Sequence, residues 1–416
     1  MRSAGGLVTH VVFVGLGFGG LYTLRRLVDG AIEGMRVTAV DRRDRFVFTP
    51  LLYEYLVGEL APDVIAPRFA DLVPEGVELV TDEVRAIDVR ARTIELASGR
   101  TLTFDVLVLS PGSVPAFHGV EGAQTEAVPF YSLTDAERLR IVLDTGAWAR
   151  GGLPACVVGG GVVGVELAFA LAERLARGGA EAGPRAVGRP PVIVLEALDE
   201  ILRGVTPRMR RLVKKKLARR GVEVRTGVRV LEVEPHGIVF RNGERTERVE
   251  AAAVAWAAGI RVNSLIERLP AERQGNHGVR VERTLQLPGY PYVFVLGDAI
   301  SYPGRVQGDP LPDTAQAAVQ EAEVCAANVR SIVEGELPRE QFRFSSLGMF
   351  LRVDRHEAIA DIKGVVVDGV VASLARQAAY VVRLPAWALR TAAIRQWLGL
   401  EEAEEIELRR ERRRAA

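Results

Sequence analysis

The sequence predicts an α/β fold: two strand–turn–helix domains followed by an amphipathic C-terminal region. Three observations predict it. "HVVFVGLGFGGLYTLRRL" (10–27) and "PACVVGGGVVGVELAFAL" (154–171) share one pattern, an apolar strand run into a glycine cluster and then a helix. Each is followed by short apolar runs around turn signals and closes on a buried-looking strand ending at a glycine, "FDVLVLSPG" (104–112) and "AAVAWAAG" (252–259). The tail carries "LPAWALRTAAIRQWLGL" (384–400), apolar at helical spacing with arginines beside it. Strand–turn–helix units of this kind are Rossmann-like dinucleotide cradles. The expected domains are 1–120 with 280–340, then 150–270, then a C-terminal region over 341–416.

The first cradle runs strand, glycine turn, helix, then the strand "MRVTAVD" (35–41). Gly15, Gly17 and Gly20 fit G-x-G-x-x-G, with the strand before and helix after that the motif requires. The first glycine makes the tight turn, the second lets backbone approach a pyrophosphate, and the third lets helix pack on strand. The helix N-terminus faces the anion. Asp41 ends the next strand about 20 residues on, where a carboxylate accepts ribose hydroxyls.

Gly159, Gly161 and Gly164 repeat the motif in the second domain, and Glu196 in "PPVIVLEA" repeats the acid, delayed by a Gly/Pro/Arg-rich loop at 177–191. Two cradles imply two dinucleotides. The chemical reason is a donor and a bound acceptor: NAD(P)H gives hydride, and a flavin takes it and passes electrons on. "YVFVLGDA" (292–299) is one more buried strand, and a helix is expected from about Thr314 to Val333.

Composition narrows the alternatives. The 54 Lys+Arg against 53 Asp+Glu leave a net charge of +1, so no global field recruits nucleic acid. The two cysteines, Cys156 and Cys325, form no CxxC pair and read as small buried hydrophobes. The five scattered histidines have no metal spacing, and no metal is expected. "RMRRLVKKKLARRG" (208–221) reads as the solvated face of a helix, since Leu212, Val213 and Leu217 give it an apolar stripe. No stretch reaches the roughly 18 apolar residues of a membrane span. Arg2 ahead of an apolar run mimics a signal peptide, but the glycine fingerprint accounts for that run better.

Taken together, "GLGFGGL", "FTPLLYEYLVGEL" (48–60), "LTFDVLVLSPGS" (102–113), "GGGVVGVELA" (159–168), "VLEA" (194–197), "WAAGIRVN" (256–263), "VFVLGDA" (293–299) and "PDTAQAAVQEA" (312–322) resemble the type II, non-proton-pumping NADH:quinone oxidoreductases. These belong to the two-dinucleotide flavoprotein reductases. The resemblance runs through most of the chain. It implies FAD in the first cradle and NADH in the second. It places Asp298, after Gly297, beside the flavin ribityl chain, and Gly112 and Gly259 at the turns closing each domain. It carries Gln316 and Gln320 over to the quinone pocket. As i and i+4 residues they share a helix face, and amides bond quinone carbonyls without bringing charge into an apolar pocket. It sets Glu166 near the nicotinamide–flavin contact as an orienting group, where the bare sequence shows only an acid in the first turns of a helix.

In the tail, a helix beginning at Pro385 puts Trp387, Thr391, Ile394 and Leu398 on one stripe, flanked by Arg390 and Arg395. "RRERRR" (409–414) adds charge. The pattern suits an interfacial helix on anionic lipid, hence a peripheral protein on the cytoplasmic face of the cell membrane, reached by NADH and a membrane quinone. A homodimer contact is the other use of that stripe. Two further functions fit the cradles: a soluble NAD(P)H-dependent reductase of a protein such as ferredoxin, and an NADH-sensing protein whose flavin state switches a binding surface.

Overall fold

The computed structural model describes residues 8–28, 34–145, 152–177, 191–273, 278–301 and 314–401. Most of the 177–191 loop and all of "RRERRR" lie outside the described residues. The chain forms two compact units. The first comprises Met1–Phe46, Pro67–Val114 and Ile260–Ser346; the second comprises Val47–Ala66, Pro115–Gly259 and Leu347–Ala416. Of the described residues, 260–273 thus belong to the first unit, and 347–401 fold within the second.

In the first unit a six-stranded sheet is ordered Gln286–Leu287, Tyr290–Val295, Val106–Leu109, Thr9–Val14, Met35–Asp41, Val77–Thr81. The cradle strand Thr9–Val14 lies between parallel neighbours, with Val14 opposite both Val40 and Leu109. A strand buried on both faces needs a continuous apolar run rather than alternation, and "VVFV" supplies it. The meander Val84–Asp88, Thr93–Leu96, Thr101–Thr103 is a separate antiparallel sheet.

The second unit repeats this order. Ala155–Val158 lies between Val192–Glu196 and Ala253–Trp256, all parallel, with Val158 opposite Leu195 and Trp256. Val222–Thr226 and Val128–Pro129 complete the sheet, and Val228–Glu234, Gly237–Asn242, Arg245–Glu250 form its meander. Duplication of cradle, acidic strand, meander and closing strand is therefore present in backbone pairing as well as in pattern.

Helix Ala315–Val333 in the first unit starts where the sequence places it, with the Thr314 hydroxyl accepting the Ala317 N–H. In the second unit, helix Pro207–Arg219 buries Met209, Val213 and Leu217. Its outer face carries exposed Arg208, Arg211, Lys215 and Arg219. Its inner face is also charged: Lys216 pairs with Glu357 and, at 2.9 Å, Asp368, while Arg220 pairs with Asp354. These acids belong to the C-terminal antiparallel sheet Met349–Arg352, Ala358–Ile362, Val365–Gly369 or its turns. Helix Val370–Arg383 packs on that sheet through Ala372 against Ala358 and Ala360.

The last helix runs Trp387–Trp397, with Pro385 ahead of its Ala386 cap rather than inside it. It buries Ala393 and Gln396, and the Gln396 Oε1 accepts the Ala61 N–H at 2.8 Å. Its opposite stripe, Trp387, Ile394 and Leu398, is exposed. No described helix is long and apolar enough to cross a membrane.

Candidate functional site

The two cradles have the same geometry. At Gly15 the backbone is left-handed, φ +87°, and an added Cβ would lie 2.3 Å from the Ser110 carbonyl oxygen. At Gly20 it would lie 2.0 Å from the Gly15 carbonyl oxygen. Turn, closing strand and helix therefore meet with no room for a side chain. Gly17 is the opposite: among the described residues beyond its own chain neighbours and helix backbone, nothing lies within 4 Å of the place its Cβ would take. That open space at a helix N-terminus is what a pyrophosphate needs. In the second unit the distances are 2.4 Å at Gly159, to the Ala257 oxygen, and 1.9 Å at Gly164, to the Gly159 oxygen, with open space again at Gly161. The residues present fit two dinucleotides.

Each acid folds back onto its cradle. Asp41 Oδ2 accepts the Leu16 N–H at 2.8 Å and Oδ1 accepts the Arg43 N–H at 2.9 Å. Glu196 Oε2 accepts the Gly160 N–H at 2.6 Å and Oε1 accepts the Leu198 N–H at 2.8 Å. Every carboxylate oxygen has a second lone pair, so both acids keep acceptor capacity for a ribose diol. Gly112 and Gly259 follow the closing strands, both with positive φ.

In the first unit, Gly297–Ala299 form a single helical turn. The Gly297 N–H donates to Glu321 Oε2 at 2.5 Å, and the Ser113 hydroxyl donates to Asp298 Oδ2 at 2.6 Å. Burial raises the Asp298 carboxyl pKa against that hydrogen bond. Gln316 and Gln320 share a half-buried face of helix Ala315–Val333. The Gln320 amide is already engaged: Nε2 donates to the Ser345 carbonyl at 2.9 Å and Oε1 accepts the Ser345 N–H at 3.0 Å. Gln320 thus fastens the chain at 345 to this helix.

Glu166 lies in a buried charge cluster of the second unit that sequence reasoning missed. Arg352 is 1% exposed, and its Nη2 lies 2.9 Å from Glu59 Oε1 and 2.7 Å from Glu173 Oε2, with Nε 3.7 Å from Glu54 Oε1. Arg376 pairs with Glu54, and the Arg352 N–H donates to Glu166 Oε1 at 2.6 Å. Burial works against the Arg352 charge, but Glu59, Glu173 and Glu54 outweigh it and hold its pKa above the ordinary value. Four carboxyl groups thus face two guanidinium groups. The available signal was two acids, Glu54 and Glu59, inside the apolar run "LLYEYLVGEL".

Burial pushes the Glu166 pKa up to about 7, against the pull of the Arg376 charge and the Arg352 N–H. The folded state therefore binds more protons than the unfolded one between its ordinary value of 4.5 and about 7. Stability from this carboxyl is intact below the lower value and lost as pH rises through the upper one. Glu166→Gln keeps an acceptor and removes the titration. Relative to wild type it gains about 2–3 kcal/mol between pH 5 and pH 8, at 1.36 kcal/mol per pKa unit. Urea unfolding at both pH values measures this, and a pH-independent difference rules the buried proton out.

The two cysteines are buried and free of disulfides, and burial pushes the Cys156 thiol up to about 12 and Cys325 higher still. That setting is the reverse of the exposed, low-pKa surroundings of a redox thiol.

The family model described as pyridine nucleotide-disulphide oxidoreductase matches residues 9–322. The demethylphylloquinone reductase NdbB of Synechocystis sp. is 31% identical over 399 residues, covering 94% of this chain and 95% of that one. The type II NADH:quinone oxidoreductase NdhA of Mycobacterium tuberculosis is 29% identical, covering 93% and 86%. The structure of NDH2 from Plasmodium falciparum in complex with NADH superposes with a TM-score of 0.80 at 16% identity, covering 94% and 98%, which shows a common fold. The chain belongs to the pyridine nucleotide-disulphide oxidoreductase family, and among its members it stands with the type II NADH:quinone oxidoreductases.

Proposed function

We propose that this chain is a type II NADH:quinone oxidoreductase that uses FAD, takes hydride from NADH and reduces a membrane quinone without pumping protons. The observation that carries the reading is the paired cradle, each with an open second glycine and a strand-end carboxylate. When bound, FAD supplies the chemistry of accepting hydride and passing two electrons to the quinone.

The residues do the rest. Gly15, Gly17 and Gly20 with Asp41 hold the FAD pyrophosphate and adenosine ribose, and Asp298 takes the ribityl chain. Gly159, Gly161 and Gly164 with Glu196 hold NADH. Glu166 is an orienting group, acting through the Arg352 backbone it bonds. Gln316 offers an amide to a quinone carbonyl, while Gln320 sets the shape of that wall by fixing residue 345.

Two helices of the second unit support docking on a membrane surface, which we assign to the cytoplasmic face. Helix Val370–Arg383 leaves Val371, Leu374 and Val382 in solvent, and helix Trp387–Trp397 leaves Trp387 74% exposed. Apolar side chains at this spacing gain about 25 cal/mol per Å² when lipid covers them. A second copy of the chain is the competing cover.

One experiment tests the whole reading. Purified protein carries FAD, floats with anionic liposomes and oxidises NADH with quinone in the bilayer. Leu374→Glu with Trp387→Glu abolishes flotation and leaves FAD bound. Both substitutions leave in place Gln396, which bonds the 47–66 segment. Gln316→Ala lowers kcat/KM for quinone about tenfold, the worth of one hydrogen bond of about 1.4 kcal/mol, and changes turnover with ferricyanide by less than about twofold. Protein without flavin, or equal losses with both acceptors, overturns the corresponding part.

A further inference from the structure

Beside the second cradle lies an exposed ion pair that the proposed reaction leaves unused. The loop after strand Val192–Glu196 is bound to the cradle at one residue, Gly160. The Gly160 N–H donates to Glu196, and its carbonyl accepts the Leu202 N–H at 2.8 Å. Leu202 takes a left-handed backbone, φ +53°, to make that bond. Ile201 is fully buried against Gly160, where an added Cβ would lie 2.6 Å from its Cγ2. The Leu198 N–H bonds the other oxygen of Glu196 at 2.8 Å. The loop therefore has one seating, and Arg203 springs from the residue next to its anchor.

Arg203 has a partner on the same loop. Its Nη2 donates to Asp199 Oδ1 at 2.5 Å, with the two side chains 57% and 79% exposed. The neighbouring acid, Glu200, is taken by Arg210 and, at 3.8 Å, Lys214. Asp199 thus serves Arg203, and Glu200 serves the helix that follows. The Arg203 hydrogen bond, and then its charge, hold the Asp199 carboxyl below its ordinary range.

Glu196 is proposed to accept the adenosine ribose hydroxyls, and the Leu198 N–H bonds that same carboxylate, so the loop carrying Asp199 and Arg203 begins at the proposed 2′ position. A 2′-phosphate there meets the Glu196 carboxylate, which repels it. A free guanidinium would instead grip it through two parallel N–H donors. We propose that Asp199 is a specificity-determining residue: it holds Arg203 in an ion pair that withholds the guanidinium from a 2′-phosphate, so that NADPH is refused by Glu196 and not rescued by Arg203. This rests on the reading that the second cradle takes NADH.

The test is a mutant cycle of D199N, R203M and D199N/R203M, each alone and with E196Q. Two readouts are taken: the ratio of kcat/KM for NADPH to that for NADH, and the Kd of NADP+ and NAD+ by calorimetry. D199N raises the NADPH:NADH ratio about fivefold, the upper end for an exposed ion pair. It tightens NADP+ by a similar factor and leaves NAD+ unchanged. The gain shrinks at high salt. It vanishes in the R203M background, and it is larger once E196Q has removed the repelling carboxylate.

An equal gain with and without Arg203 means that Asp199 acts only as a bare negative charge, and the proposal falls. So does an unchanged ratio in D199N. Either result leaves NADH turnover and NAD+ binding intact. Wild-type protein that neither binds NAD+ nor oxidises NADH instead overturns the reading of the second cradle, and the latch with it.

Discussion

Arg352→Met lowers the unfolding free energy of the second unit by about 3–5 kcal/mol, the cost of removing one partner from a buried ion network. The guanidinium lies within 3 Å of both Glu59 and Glu173 and is the group those two carboxylates share. Methionine fills the space but leaves the carboxylates buried without the cation. Arg352→Lys recovers only part of the loss, since a single ammonium cannot reproduce a fork aimed at several carboxylates. Adding Glu59→Gln and Glu173→Gln to Arg352→Met restores most of it, because the damage lies in the stranded charges. The described tryptophans, at 256, 387 and 397, belong to the second unit, and urea unfolding followed by tryptophan fluorescence reports this unit. An Arg352→Met variant within about 1 kcal/mol of wild type would mean the network is relaxed by water or protonation. The network holds together three parts of the second unit that are far apart in the chain: the 47–66 segment, the cradle helix Val162–Arg177, and the C-terminal sheet with its helix.

The cradles were legible because every part of them is local. A strand, a glycine turn and a helix within 20 residues announce themselves by apolar run and glycine spacing, and the acid follows on the adjacent strand. Helix Ala315–Val333 was legible as one continuous local run, and the structure adds the Thr314 hydroxyl that caps it. The charge cluster was not, because its pairs are distant in sequence: Glu54 and Arg376 are separated by 322 positions. Nothing in either neighbourhood names the other. The i, i+4 spacing of Gln316 and Gln320 put both on one face but could not say that the backbone of Ser345 would take one amide. The exposed apolar stripe of Val370–Arg383 escaped notice because two valines open the helix directly after Gly369, a start that reads as a continued strand.

Gly15→Ala yields protein without FAD, and Gly159→Ala yields protein that keeps FAD and loses NADH. Both positions combine two penalties. The backbone is left-handed, φ +87° and +108°, which costs an L-residue about 1–2 kcal/mol. The new Cβ also lies 2.3 Å from the Ser110 oxygen or 2.4 Å from the Ala257 oxygen. Those oxygens are main chain at the ends of central strands, so relief moves the turn and not a side chain. Overpacking of this kind costs about 1–3 kcal/mol. Together the penalties approach about 4 kcal/mol, and the turn that moves is the one proposed to hold the phosphates. At 1.36 kcal/mol per tenfold, affinity for the dinucleotide falls by at least about a hundredfold. The flavin-to-protein ratio reads the first cradle, and calorimetry with NAD+ reads the second. The tryptophan signal stays native in Gly15→Ala, because the described tryptophans lie in the other unit. FAD retained in Gly15→Ala, or lost in Gly159→Ala with NAD+ still bound, would reverse the assignment of the two cradles. Gly17→Ala and Gly161→Ala separate sterics from ligand approach: among the described residues beyond the local backbone the added methyl meets nothing within 4 Å, so the fold is untouched and only the ligand is crowded. Their losses in binding, with unfolding midpoints unchanged, place the phosphates over those two glycines.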